Sequence, residues 1–89
     1  MLNTITVHAK GGRTFLVTEP NIGQMLPFMR NAKDDTIAAM MELMRVCVSE
    51  TGVALGDQLE QLPGSMFSAL SEAMTKVAGL NGDTEGNAA

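Results

Sequence analysis

One cysteine, one histidine, three phenylalanines and no tryptophan or tyrosine occur in the 89 residues of this chain. Each scarcity closes off a class of function. With Cys47 as the sole thiol no intrachain disulfide can form, and a metal site could draw only on Cys47, His8 and unclustered carboxylates. The missing tryptophan and tyrosine leave no stacking platform for single-stranded nucleic acid. Six Lys and Arg against ten Asp and Glu, a net charge of −4, argue against a phosphate-binding surface. Nucleic acid is therefore not an expected partner. No apolar run is long enough for a membrane span, and Met1 to Val7 has neither a basic segment nor a continuous apolar stretch of the signal-peptide kind. Neither membrane nor export is expected, and a lone cysteine suits a reducing cytosol.

Catalytic constellations are equally scarce. His8 falls on the polar side of an alternating segment, without a nucleophile or an orienting partner in sight. Cys47 falls on the apolar stripe of a predicted helix, where burial makes a thiol a small hydrophobe. Asp34 and Asp35 precede a helix, where carboxylates cap and complement the dipole. The Gly11-Gly12 pair is too short for a phosphate cradle, and strands flank it. No catalytic, cofactor-binding or metal-ligating residue is expected, and hence no cofactor and no enzyme.

What remains is a compact apolar chain. Hydrophobic residues make up 45% and charged ones 18%, too apolar for a disordered chain. A domain this small buries roughly 60–65% of its unfolded surface, so a monomer is marginal and a second chain would help.

From Asn3 to Lys10, Ile5, Val7 and Ala9 alternate with Thr4, Thr6 and His8, and Arg13 to Thr18 alternates likewise around Phe15 and Val17. Both segments read as half-buried strands. A two-residue Gly-Gly turn would set Val7 against Leu16 and mix the faces. A three-residue loop over Lys10 to Gly12 sets Val7 against Phe15 and Ile5 against Val17, with Gly12 left-handed. Such a hairpin leaves two unpaired edges that invite pairing between copies.

Helices follow. Thr18-Glu19-Pro20 opens one bearing Ile22, Met25, Leu26 and Met29, which Pro27 should kink or shorten. Asp34 or Asp35 caps a second, with Ile37, Met40, Met41, Met44, Cys47 and Val48 on one stripe, Leu43 and Val46 off it, and Gly52 as its stop. A short turn carries Leu59 and Leu62 inward. Ser65 caps a last helix with Met66, Phe67, Leu70, Ala73, Met74, Val77 and Ala78 in line, ended by Gly79. The expected fold is α+β: an N-terminal two-stranded β-hairpin followed by three to four α-helices, in one domain over 1–80. Residues 81–89, rich in Asn, Gly, Asp and Ala, are expected to form a flexible tail.

Methionine is the one abundant oddity, eight residues including the first, with the other seven on predicted helices. Unbranched thioethers re-pack against differently shaped apolar partners, so this pattern suits protein binding as well as core filling.

The order of features also carries a resemblance. A Gly12-Arg13 hairpin runs into Glu19-Pro20, then a helical middle, Glu50-Thr51-Gly52-Val53, Leu59-Glu60-Gln61-Leu62 and Phe67-Ser68-Ala69-Leu70. Over roughly residues 5–78 this resembles the small tail assembly chaperones of contractile- and siphon-tailed bacteriophages and Mu-like prophages. The resemblance implies a non-enzymatic protein of the host cytoplasm that coats the tape measure protein, a long helical chain with apolar stripes, until tail tube subunits polymerise around it. It also implies many weakly held copies along one rod, a homo-oligomer as an expectation, and Phe28, Met29, Met41, Met44 and Val48 as the residues expected to contact the partner. The competing expectation is a small phage-encoded regulatory or inhibitory protein that binds one host protein.

Overall fold

The computed structural model describes residues 3–79. The first two strands, β1 (Thr4–His8) and β2 (Thr14–Thr18), pair antiparallel with Ile5 opposite Val17 and Val7 opposite Phe15. This is the register that the alternation of side chains requires. The three-residue loop closes with the Ala9 amide donating to the Arg13 carbonyl at 2.9 Å, and Gly11 and Gly12 take φ of +80° and +79°. Only glycine adopts that backbone without a Cβ penalty.

The expected two-stranded hairpin is corrected to a four-stranded antiparallel sheet in the order β1-β2-β3-β4. The helix α2 (Thr36–Cys47) stops at Cys47, and the chain enters β3 (Val48–Glu50) and β4 (Val53–Ala54). Gly52 is therefore a hairpin residue and not a helix stop. Thr51 and Gly52 have φ of +52° and +83°, the double-positive backbone of a tight turn that matches strand twist. Val48 lies beside Val17 and closes the free edge of β2. One of the two edges expected to invite a second copy is thus filled from within the chain.

The helix α1 (Ile22–Asn31) begins at Asn21 and not at Glu19-Pro20. The Gln24 amide donates to Asn21 Oδ1 at 2.8 Å, and the Asn21 amide donates to Gln24 Oε1 at 2.9 Å, a reciprocal cap. Pro27 does not end the helix, which runs four residues beyond it. Asp35 caps α2 by accepting from the Ala38 amide at 3.0 Å. A 3-10 helix over Gly56–Gln61 buries Leu59. The last helix, α3 (Ser65–Ala78), starts from Gly64 without a side-chain cap, so Ser65 is its first residue and not its cap. Gly79 ends it at φ +73°, as expected.

The buried apolar side chains of the sheet and helices meet in one cluster. Phe15, Val17 and Val48 come from the inner sheet face, and Leu43, Met44 and Cys47 from α2. Leu70, Ala73, Met74 and Val77 come from α3, and Leu55 and Leu59 cover one end. Among the described residues no polar side chain is buried. Polar links lie at the rim. The Arg13 guanidinium donates twice to the Glu50 carboxylate, at 2.8 and 2.9 Å, and stacks over the Phe15 ring at 5.1 Å. It joins the two hairpins and holds the Glu50 carboxyl below the usual carboxylate range through that hydrogen bond. Arg45 ties α2 to the 3-10 helix through Glu60 at 2.6 Å and Asp57 at 3.4 Å. Residues 81–89 lie outside the described residues.

Candidate functional site

Neither of the two side chains best suited to covalent or proton chemistry is placed for it. His8 is exposed on the outer face of the sheet, opposite Thr14. Cys47 is 4% exposed, and burial pushes its thiol up to about 11, so it stays protonated at neutral pH. Among the described residues no three His, Cys, Asp or Glu side chains come together as a metal site.

The helices instead carry unusual apolar surface. Three side chains of α1 at i, i+4 and i+7 face solvent: Ile22 at 80%, Leu26 at 45% and Met29 at 61% exposure. This helix has no buried residue at all. Its contact with the core runs through Met25 and Phe28, which are half-buried. At 100° per residue Phe28, Met25, Met29, Ile22 and Leu26 form one continuous apolar arc, of which the Phe28/Met25 edge meets the core and the Met29/Ile22/Leu26 edge faces solvent.

A second surface is a cleft of about 220 Å³ between α2, the 3-10 helix and the start of α3. Met41, Met44, Met66, Leu62 and Phe67 line it, with Glu60 as the one charged side chain at its wall. That volume admits one large apolar side chain from outside, and thioethers adjust to its shape. A third, a groove of about 420 Å³, runs between α1 and α2 and is lined by Pro27, Phe28, Leu43 and Val46 among others.

The five residues expected to contact a partner do not form one site. Met29 belongs to the α1 stripe, Phe28 to the groove between α1 and α2, and Met41 to the cleft. Met44 and Val48 are corrected: at 1% and 0% exposure they are core residues. Met44 forms the floor of the cleft, while Val48 lies in the sheet beside Val17. The periodicity that placed both on a helical stripe ignored the change from helix to strand at Val48. Ile22, Leu26, Met66 and Phe67 were missed as surface groups because helical spacing identifies a stripe without saying which stripe faces out.

No family model, curated protein or solved structure matches the chain.

Proposed function

We propose that this chain is a non-enzymatic assembly chaperone of the phage tail type, which covers apolar stripes of the tape measure protein during tail morphogenesis. The observation that carries the reading is the solvent-facing Ile22/Leu26/Met29 stripe on a helix with no buried residue. Apolar side chains at i, i+4 and i+7 are the anchors by which one helix lies along another. Three such anchors give weak attachment per copy, and many copies along one rod give avidity. The methionine-lined cleft supplies a pocket for one protruding side chain of the rod, next to Met41. The resemblance over residues 5–78 supplies the biological setting, including the host cytoplasm.

The test is to mix the purified chain with helical segments of a candidate tape measure protein and weigh the complex by light scattering. Several copies per segment, lost with Leu26→Asp, are expected. A single 1:1 complex with a folded host protein, and none with the helical segments, would instead identify an inhibitor.

A further inference from the structure

We propose that two copies of this chain join edge to edge along β1, antiparallel about a two-fold axis at Thr6, so that two four-stranded sheets become one. The proposal concerns self-association and does not depend on the chaperone reading. It starts from the main-chain pattern. Within the first hairpin the Ala9 amide donates to Arg13 at 2.9 Å, and the Glu19 amide donates to the Asn3 carbonyl at 2.7 Å. Residues 3 and 9 therefore face β2, and by the alternation of an antiparallel ladder so do Ile5 and Val7. The amides and carbonyls of Thr4, Thr6 and His8 point the other way, where among the described residues no further strand lies.

Among the described residues that edge carries none of the usual protection. From Asn3 to Ala9 there is no Lys, Arg, Asp, Glu or Pro, and the pairing from Thr4↔Thr18 to His8↔Thr14 has no bulge. The opposite edge, β4, is only two residues long.

The strand is also complementary to itself. With Thr6 facing Thr6 of the second copy, Thr4 meets His8 of the second copy and His8 meets Thr4 of the second copy. All three positions expose outward main-chain groups, so about six hydrogen bonds close the seam. In the same register Ile5 lies opposite Val7 of the second copy, at the close, non-hydrogen-bonded spacing where side chains touch most. Ile5 and Val7 point to the inner face with Phe15 and Val17, yet both are only half-buried, as residues at an unfinished seam would be. A one-residue slip would set these inner side chains against outer ones and lose the main-chain bonds. Pairing β1 with β4 would offer a shorter ladder, and being head-to-tail it would not close. A second copy meeting β1 with β1 satisfies donors, acceptors and apolar side chains together.

Thr6 meets itself across the axis, which makes the test specific. Sedimentation of the full chain is expected to give twice the 9.4 kDa chain mass at high concentration. Thr6→Lys and Thr6→Glu, each placing like charges face to face, are expected to sediment as monomers with an unchanged circular dichroism spectrum, because Thr6 is exposed. Mixed in equal amounts, they are expected to regain the dimer. A wild-type chain that stays monomeric to millimolar concentration overturns the proposal. So does a dimer that survives both charges, or one that Leu26→Asp dissociates and Thr6→Lys does not, since that dimer uses the α1 stripe. Failure of the mixed charges to re-pair overturns it as well.

Discussion

Thr51 shows how much one residue can concede to a turn. Among the described residues it is the only non-glycine with positive φ, at +52°, and it is β-branched, so its Cβ crowds the backbone there. Its hydroxyl donates to the Glu50 carbonyl at 2.6 Å, which offsets part of the strain. Thr51→Asn, which tolerates this backbone, is expected to stabilise the fold by roughly 1 kcal/mol, seen as a higher urea midpoint with an unchanged slope. Cys47 makes the opposite point about chemistry. Its folded-state pKa is raised to about 11 by burial, whereas an exposed thiol ionises at about 8.5. The thiol therefore costs nothing below the unfolded value and lowers stability as pH climbs from there toward the folded value. Denaturation of the wild type is expected to lose stability across that alkaline window by more than Cys47→Ala does. At neutral pH, thiol reagents are expected to label Cys47 only as fast as the core opens.

Elements divide the methionines into two kinds. Met44 on α2 and Met74 on α3 are 1% and 0% exposed and fill the space beneath Phe15 and Val17, whereas Met29 on α1 stands in water. Met44→Ala is expected to cost about 2–5 kcal/mol by leaving a cavity, and Met29→Ala less than about 0.5 kcal/mol, both measured by chemical denaturation. In a partner-binding assay the order should reverse, with Met29→Ala the more damaging. The same division marks how far the site could be read from the chain alone. Met29 and Met41 lie on stripes of helical spacing and reach the surface, but Met44 and Val48 satisfy the same spacing as Met41 and are sealed. Spacing places residues on a common face and is silent on what covers that face. Val48 fits the helical stripe of Met44 and Cys47 as well as a strand, and pairing with β2, a partner about thirty residues earlier, settled the choice there.

For the molecule as a whole, the uneven attachment of its parts should govern its motions. Among the described residues the sheet, α2, α3 and the 3-10 helix supply every buried hydrophobic side chain except Leu55, while α1 supplies none. Native-state hydrogen exchange is expected to show α1 amides opening well below the global unfolding free energy, with β2 and α3 exchanging last. A helix held so lightly is free to change its packing when a partner covers Ile22, Leu26 and Met29. Local chemistry in the chain was enough to determine the first hairpin and its register, a carboxylate cap from Asp34 or Asp35, the inward Leu59, the Gly79 stop and the run of helices after the hairpin. Each of these follows from contacts among near neighbours, where alternation, caps and left-handed glycines act within a few residues. Only the tertiary structure decided that β3 and β4 complete the sheet, that Ile22, Leu26 and Met29 of α1 face solvent, and that Met44 lies beneath a cleft instead of on its rim. Those outcomes depend on which distant surfaces compete for the same core volume. A core of this size has room for one face of α2 and one of α3, and α1 meets it only through the half-buried Met25 and Phe28.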